Sequence, residues 1–244
     1  MAMTDLSNLL PPAELATYIA ITTREERVTN HRSWVPLGWW NDELRRRQLP
    51  GGPVTGRDER GMTVSSGQGW ISRDDVFRLA DAALHDPSGE AMLGMVWHAF
   101  AWGSGTTRRL MSSRLDSIAA DPAGSGQLLF KAAHRASSDP RAAYELLRPR
   151  GTAIRFVGPS FFTKVLYFSG EGRRDHRALI LDDRVARALN RLGWDSLRTG
   201  PWPAITYQRY CDLLARWTER LTCERSVAAD EIERWLFERT SAVL

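Results

Sequence analysis

The sequence predicts a mainly α-helical globular protein. Its 244 residues are 43% hydrophobic and include ten tryptophans, which is enough to bury one large core or two small ones. Apolar residues recur chiefly at helical spacing, and the alternation typical of a strand is found only at residues 178–181 and in a tryptophan-rich stretch near the N-terminus. No low-complexity tract or fixed-period repeat interrupts this pattern.

The N-terminal half is expected to contain helices on either side of a long loop. A first helix is predicted over residues 12–28, with proline at its start. Residues 30–69 are predicted to be loop. Their mixture of tryptophan and arginine suits base stacking or, as we favour, the closing of a core. Ser72 begins a helix that reaches about residue 84, and Ser88 begins a buried helix that ends near residue 103.

Further helices are predicted over residues 106–119, 125–136, 139–147, 207–221 and 229–240. The run WGSGTTRR at residues 102–109 precedes one of them. Backbone amides and arginines could hold a phosphate there, and a plain turn is an equal alternative. We expect two units, an N-terminal helix with a Trp/Arg-rich region over residues 1–70 and a helical core over residues 71–244.

The charge of the chain suits a polyanionic partner without establishing one. The net charge is +4, with an isoelectric point near 9.4, and an arginine-rich proteome would give the same sum. The clustering of arginines is more informative, and each cluster could contact phosphates or be merely solvated. The clusters are Arg45–Arg47, Arg108–Arg109, Arg148 with Arg150 and Arg155, and Arg173–Arg174.

The sequence argues against a metal centre, a disulfide framework and a membrane segment. Cys211 and Cys223 are the only cysteines, too few for a four-cysteine iron-sulfur cluster. The five histidines show no zinc-ligand spacing, so we expect no metal and no cofactor. Neither a signal peptide nor a stretch of membrane-spanning length is found, and we expect a cytoplasmic protein that does not contact membranes.

The strongest chemical signal is Lys164, one of only two lysines among 33 basic residues. Arginine stays protonated, whereas a lysine among apolar neighbours can lose its proton and attack carbon. The apolar neighbours are Phe161, Phe162, Val165, Leu166 and Phe168. A lone lysine on a helix is usually a solvated side chain, so a catalytic role for Lys164 needs support from a second residue.

Asp182 supplies the second signal, eighteen residues after Lys164. It follows an extended apolar run and precedes apolar residues at helical spacing, which predicts a helix N-cap. An aspartate in such a position is usually only a cap. Together, at this interval, the lysine and the aspartate favour a catalytic pair.

These residues resemble the helix-hairpin-helix DNA glycosylases, in particular their 8-oxoguanine DNA glycosylase-like branch. The family hairpin, roughly Pro-Gly-Val-Gly-Thr-Lys, is matched by Pro159, Thr163 and Lys164, while Ser160 and Phe162 replace the two glycines. The family pattern Ile-Leu-Asp-x-x-Val-x-x-x-Leu is met at residues 180–189. The resemblance extends from about residue 142 to the C-terminus, with the helix-hairpin-helix at about 148–170.

The resemblance implies a glycosylase fold with its lysine and aspartate between two helical subdomains. It implies an enzyme that flips a damaged or modified base out of double-stranded DNA and excises it, as in base-excision repair. In that mechanism Asp182 stabilises positive charge on the sugar. Lys164 attacks C1′ and holds the sugar as a Schiff base, which permits abasic-site lyase activity. We also expect a monomer.

The resemblance also assigns binding residues. It assigns DNA binding to Gly158, Pro159, Ser160, Thr163 and Arg184, with backbone amides of the hairpin meeting a phosphate. In relatives the last helix carries a glutamine and, four residues later, a phenylalanine that contact the flipped base. The aligned residues here are Glu233 and Phe237.

An ionised glutamate can only accept hydrogen bonds, which suits a base edge that presents an amino group, such as N4 of cytosine. We therefore expect a cytosine-type base, including bulky modified cytosines such as glucosylated hydroxymethylcytosine of phage DNA. This fits members of the branch thought to act in phage defence. Repair of 8-oxoguanine is the alternative. A non-catalytic DNA-binding module and a small-molecule lyase also stay open, because a fold does not fix a function.

Overall fold

The computed structural model describes residues 4–221 and 225–239. It is mainly helical, as predicted. The helices are α1 (Ala13–Ile21), α2 (Leu37–Arg46), α3 (Arg73–Phe77), α4 (Ala80–His85), α5 (Glu90–Ser104), α6 (Met111–Ala119), α7 (Pro122–Ala136), α8 (Pro140–Leu147), α9 (Pro159–Phe168), α10 (Asp183–Arg191), α11 (Ala204–Arg220) and α12 (Ala229–Arg239). The strands are β1 (Arg32–Val35), β2 (Gly56–Arg57), β3 (Thr63–Val64) and β4 (Gly69–Ser72).

The predicted helix over residues 12–28 is wrong beyond Ile21. The backbone becomes extended at Thr22, and a separate π-helical turn follows at Glu25–Thr29. Threonine side chains cause the break, because they bond locally to the backbone and compete with helix continuation. The Thr22 hydroxyl donates to the Tyr18 carbonyl at 2.7 Å, and the Thr23 amide and hydroxyl both donate to the Glu26 carboxylate.

The predicted loop over residues 30–69 is also wrong, because it contains α2 and three short strands. With β4 these strands form an antiparallel sheet in the order β1-β4-β2-β3. Strands of two to four residues are too short to give a clear alternating pattern. The expected domain boundary after residue 70 falls within β4, and the division into two units stays a prediction.

A buried asparagine organises the connection between α2 and the sheet. The Asn41 side-chain amide donates to the carbonyls of Val54 and Ser65, at 2.9 and 2.6 Å, and its oxygen accepts from the Val54 amide at 2.7 Å. Such bonds satisfy backbone groups that form no hydrogen bonds to a neighbouring strand. Asn41 therefore holds the chain around β2 and β3 in place of a longer sheet.

The helix α5 is the centre of the core, as its apolar sequence predicts. Leu93, Val96, Trp97 and Phe100 are each no more than 1% exposed. Its glycines allow close packing. A Cβ atom on Gly94 would lie 2.9 Å from the Gly51 carbonyl oxygen, a distance that real Cβ atoms do not show. The end of α5 at residues 103–104 reaches the helix that carries Lys164.

The helix expected over residues 106–119 begins only at Met111, so of the two alternatives for residues 102–109 the structure has the turn and not a helix N-terminus near residue 106. Gly105 and Leu110 both have left-handed backbone angles, with φ of 55° and 56°, and these keep the intervening residues out of a helix. Other boundaries differ less. The predicted helix from Ser72 is divided into α3 and α4, and α7 begins at Pro122, capped by Asp121.

Two helices and their connection lie at and just before residues 148–170, where a helix-hairpin-helix is expected, and that assignment stays a prediction. The first, α8, has Asp139 as N-cap and Pro140 as first residue, as predicted. The second, α9, follows Gly158 as N-cap and begins at Pro159. A Tyr144 ring on α8 packs 4.8 Å from the Phe162 ring on α9, so the two helices share one apolar interface.

Residues 178–181, expected to be a strand, are extended but belong to no sheet. Hydroxyl groups satisfy their backbone instead of a neighbouring strand. The Tyr207 hydroxyl donates to the Leu179 carbonyl at 2.9 Å and accepts from the Leu179 amide at 3.2 Å. Tyr210 donates to the Ile180 carbonyl at 2.8 Å. This segment leads directly into Asp182, so α11 helps to position that carboxylate.

Thr163 on α9 also bonds to the extended segment before Asp182, which α11 contacts through its tyrosines. Its side chain is fully buried, and its hydroxyl donates to the Pro159 carbonyl at 2.7 Å and accepts from the Leu181 amide at 3.2 Å. The direct contact with DNA expected for Thr163 is therefore wrong, because the side chain does not reach the surface. Thr163 instead joins α9 to the segment that carries Asp182.

Replacing Thr163 with valine should lower the free energy of unfolding by about 1–3 kcal/mol, because the Leu181 amide loses its buried partner. Denaturant unfolding measures the change. Thr163→Ser keeps the hydroxyl and is the matched control, expected to lose about 1 kcal/mol for the missing methyl group. A valine variant as stable as the serine variant would show that the hydroxyl does not stabilise this connection.

Candidate active site

One cavity brings together four of the residues expected to act on a substrate, Lys164, Asp182, Glu233 and Phe237. Its volume is about 120 Å³, and its remaining lining residues are His31, Ser33, Arg73, Trp102, Gly103 and Ile180. Larger clefts of about 650 and 670 Å³ lie elsewhere, but neither contains Lys164 or Asp182. We therefore assign the candidate site by its chemical groups and not by its size.

Lys164 is buried at the wall of this cavity, with 7% of the residue exposed. Its Nζ donates to the Ser160 carbonyl one helical turn earlier. The end of α5 passes directly against its stem, since a Cβ atom on Gly103 would lie 2.4 Å from Lys164 Cε. Burial lowers the pKa of Lys164, while Asp182 and Glu233 act in the opposite direction. The amine is thus more readily neutral than an ordinary lysine, as a nucleophile must be.

Asp182 is the N-cap of α10, as predicted. Its Oδ1 accepts from the Arg184 and Val185 amides at 2.9 and 3.0 Å. Its other oxygen, Oδ2, has no hydrogen-bond donor within residues 4–221 and 225–239. The cap therefore orients the carboxylate with one oxygen and leaves the second available at the cavity.

Glu233 forms a buried ion pair with Arg73. The Glu233 Oε2 and Arg73 Nη2 atoms are 2.8 Å apart, and each side chain is 1% exposed. Burial raises the pKa of Glu233, and the Arg73 guanidinium counteracts it. Burial by itself would lower the pKa of Arg73, but Glu233, Tyr167 and Asp230 together outweigh it, so that pKa is raised. At 2.8 Å each charge compensates the other, and we treat both groups as ionised.

A hydrogen-bond network extends from this pair to the N-terminal region. Arg73 Nη1 donates to the Tyr167 hydroxyl at 3.0 Å, and that hydroxyl donates to Asp230 Oδ2 at 3.0 Å. Arg24 completes the network with two bonds to Asp230, at 2.9 and 2.6 Å. The floor of the cavity is therefore connected to α9, to α12 and to the residue before the π-helical turn.

Three buried polar atoms of cavity-lining residues have no hydrogen-bond partner in the described part of the chain. They are Glu233 Oε1, Arg73 Nε and His31 Nδ1. Burial, with the Arg73 and Arg234 charges, lowers the pKa of His31 to about 2, so its imidazole is neutral at any ordinary pH. Buried polar atoms rarely stay unpaired in proteins, so these three can bond a polar ligand or water that enters the cavity.

His31 and Arg73 were not predicted from the sequence. Arg73 follows the Ser72 cap, where a charged residue is usually solvated, and His31 lies in a stretch predicted to be loop. The fold connects the two, because the His31 carbonyl accepts from the Arg73 amide at 3.0 Å and from the Trp102 indole at 3.2 Å. Only tertiary contacts could have identified them.

Phe237 and Arg184 lie at the rim. The Phe237 ring is half-buried, 4.8 Å from the Arg184 guanidinium and 6.3 Å from the His31 ring. Arg184 therefore covers an aromatic face in this conformation. An aromatic ring in this place offers a stacking surface to a planar ligand.

Gly158, Pro159 and Ser160 form the N-terminus of α9, one turn before Lys164. Gly158 has no side-chain cap, and a Cβ atom on it would meet nothing within 4 Å. Pro159 is buried, and Ser160 is half-buried. The helix end is thus open to approach from outside, although the two family glycines are replaced.

Within residues 4–221 and 225–239, no group of three or more His, Cys, Asp or Glu residues is arranged to hold a metal ion. Cys211 is buried in α11, where burial raises the pKa of its thiol to about 12. Cys223 lies outside the described residues. Among those residues, no helix has the length and apolar character needed to cross a membrane.

Comparison with known proteins identified one family. The family model described as "Putative 8-oxoguanine DNA glycosylase OGG-like protein" matches residues 26–237. The match begins well before residue 142, where the resemblance found in the sequence begins, and it includes all residues that line the cavity. No curated protein and no solved structure matches the chain.

Breaking the buried ion pair should cost far more than breaking an exposed one. Glu233→Leu should lower the free energy of unfolding by about 3–5 kcal/mol, because it leaves the Arg73 guanidinium buried and unpaired. The double variant with Arg73→Met should be more stable than Glu233→Leu alone. Denaturant unfolding measures all three proteins.

The matched control is Glu145→Leu, which breaks the pair Arg141–Glu145, whose side chains are 51% and 50% exposed. This change should cost at most about 1 kcal/mol. A Glu233→Leu variant no less stable than the control would refute the assignment of a charged, structurally required pair.

Proposed function

The chain belongs to the 8-oxoguanine DNA glycosylase OGG-like family, and from this premise we propose that it is a DNA N-glycosylase that uses Lys164 as its nucleophile. The observation that carries the proposal is the meeting of a buried lysine, a carboxylate with an available oxygen and unpaired polar atoms in one cavity. Abasic-site lyase activity is part of the same proposal, because an enzyme-bound Schiff base permits it.

The reaction begins with a base rotated out of the duplex into the cavity, because its glycosidic bond cannot be reached inside the stack. Asp182 stabilises the positive charge that grows on the sugar as the bond breaks. The neutral Lys164 amine forms a bond to C1′ and loses a proton, and the base leaves with the bonding electrons and gains a proton. Opening of the sugar ring then gives the Schiff base.

The surroundings of Lys164 support this role. Its lowered pKa favours the neutral amine, and the two nearby carboxylates limit how far that pKa falls. Gly103 packs against the stem of Lys164. Thr163 bonds to the segment that precedes Asp182. Arrangements that fix reacting groups before the substrate arrives lower the barrier without reorganisation.

For the substrate we propose a cytosine-type base, including hydroxymethylated and glucosylated forms. Glu233 Oε1 is an unpaired acceptor for the N4 amino group, and Arg73 Nε is an unpaired donor. Guanine also carries an amino donor, so the carboxylate does not decide alone. Phe237, which lines the same cavity, would stack on the base.

A modified cytosine as substrate would fit defence against phages whose DNA carries such bases. Excision of 8-oxoguanine in repair is the second candidate, because the family description names that base. The protein would act on double-stranded DNA as a monomer in the cytoplasm under either proposal.

Lys164→Arg should abolish borohydride trapping on DNA that carries the substrate base or an abasic site. Arginine keeps the charge but cannot form the Schiff base, so DNA binding should stay within a few-fold. The control is Lys131→Arg, which replaces the exposed second lysine and should trap like the parent. Trapping is measured as covalent protein–DNA product on a denaturing gel.

The pH dependence provides a second readout. An amine attacks only when neutral, so trapping should increase with pH and level off below the pKa of about 10.4 usual for lysine. Undiminished trapping by Lys164→Arg would contradict the proposed nucleophile. DNA binding without any trapping would favour a non-catalytic module, and a failure to bind DNA would favour a small-molecule lyase.

The substrate proposal predicts selective excision from duplexes that carry cytosine-type bases. The panel contains 8-oxoguanine, cytosine, hydroxymethylcytosine and glucosylated hydroxymethylcytosine at one position. Abasic sites should form in at least one of the cytosine series. Excision of 8-oxoguanine with none from the cytosine series would overturn the substrate proposal while leaving the glycosylase proposal intact.

A further inference from the structure

Release of a base generates negative charge that Asp182 and the ionised Glu233 cannot stabilise. As the glycosidic bond breaks, the base takes the bonding electrons, and a carbonyl oxygen beside the glycosidic nitrogen carries much of the resulting charge. Cytosine has such a carbonyl group at C2, and 8-oxoguanine has one at C8. A carboxylate would repel this oxygen. A hydrogen-bond donor held against it would lower the barrier, because the bond strengthens as the charge develops.

The imidazole of His31 is held in the wall of the cavity that contains Lys164 and Asp182. Its ring packs edge to face against the Trp102 ring, with centroids 5.3 Å apart and planes at 87°. The carbonyl of the same residue accepts from the Trp102 indole at 3.2 Å and from the Arg73 amide at 3.0 Å. These contacts fix the ring before a ligand arrives, as a preorganised donor requires.

The Nδ1 atom of this ring is available to a ligand. It is buried and has no hydrogen-bond partner in the part of the chain that the structure describes. Other donors in the cavity wall are more committed. The Trp102 indole donates to the His31 carbonyl, and two of the three Arg73 guanidinium nitrogens already donate to neighbouring side chains. The Ser33 hydroxyl also lines the cavity, but it turns freely about its bond to Cβ.

The charge state of His31 suits a hydrogen-bond donor and not a general acid. Burial and the charges of Arg73 and Arg234 lower its pKa to about 2, so the imidazole is neutral. A neutral imidazole with its proton on Nδ1 donates one hydrogen bond there. It can stabilise charge on an oxygen without giving up that proton. The proton that the base gains comes instead from the Lys164 nitrogen, which releases one as it bonds to C1′.

We propose that His31 is a catalytic residue whose Nδ1 donates a hydrogen bond to the carbonyl oxygen beside the glycosidic nitrogen of the extruded base. As the bond from C1′ to that nitrogen breaks, its electrons pass to the base, and the hydrogen bond from His31 strengthens. The inference rests on the proposed function and deepens it, because it names a substrate class, bases with a carbonyl group at this position. Cytosine-type bases and 8-oxoguanine both belong to the class, whereas adenine and unmodified guanine do not.

The test replaces His31 with phenylalanine, which removes the ring nitrogens and keeps a ring that can pack against Trp102. Base release is measured in single-turnover reactions on duplexes that carry cytosine, hydroxymethylcytosine or 8-oxoguanine. On each base that the parent protein releases, His31→Phe should be about a hundredfold slower, the loss expected when one such donor is removed. Borohydride trapping on a duplex with a preformed abasic site should be unchanged, because no base leaves in that reaction.

Two further variants separate the hydrogen bond from the shape of the side chain. His31→Asn provides a new donor, since its side-chain amide nitrogen can take the place of Nδ1, and it should recover most of the lost rate. His85→Phe is the matched control. It makes the same substitution at the end of α4, where the side chain is 77% exposed, and it should release base like the parent. Denaturant unfolding compares the stability of all variants.

Three results would overturn the role of His31 and leave the glycosylase proposal intact. They are base release by His31→Phe at the parent rate, an equal loss of base release and of abasic-site trapping, and a His31→Asn variant as stable as the parent but as slow as His31→Phe. The second of these would show that His31 only supports the fold of the site. A parent protein that releases none of the three bases would refute the proposed function, and the inference would fall with it.

Discussion

The ion pair between Arg73 and Glu233 is the constraint on which the site depends. Two charges removed from water must compensate each other, and this requirement fixes α3 against α12 and brings Tyr167 on α9 into the same network. The pair uses only part of its hydrogen-bonding capacity, since Glu233 Oε1 and Arg73 Nε stay unpaired. Glu233 Oε1 can therefore accept a hydrogen bond from a polar ligand in the cavity, and Arg73 Nε can donate one.

The chemistry of Lys164 follows from how tightly it is enclosed. A glycine at position 103 allows α5 to approach the lysine stem, and the resulting burial lowers the pKa of the amine. Across the cavity, Asp182 is aligned by its own helix cap and by a segment whose backbone is bonded to hydroxyls of α9 and α11. Lys164 and Asp182 are thus held by separate elements that meet at Thr163.

Local patterns were sufficient to identify Lys164 and Asp182 as candidates and to predict most helices, because caps and amphipathic faces are formed by residues close together in the sequence. Glu233 and Phe237 required the family resemblance. His31 and Arg73 could not be predicted, since only tertiary packing joins a residue before β1 to the helix after β4. The short strands were not predicted because they are held by tertiary contacts. The strand predicted at residues 178–181 is not part of a sheet for the same reason, since its backbone partners are tyrosine and threonine hydroxyls far away in the sequence.

The identity of the nucleophile can be tested most directly by peptide mapping, because the chain has only two lysines. The parent protein is reacted with abasic-site DNA under borohydride, the DNA is digested, and the sugar adduct is located by mass spectrometry of the proteolysed protein. The account predicts one adduct, on the peptide that contains Lys164. An adduct on Lys131 or on the α-amino group, with Lys164 unmodified, would contradict it.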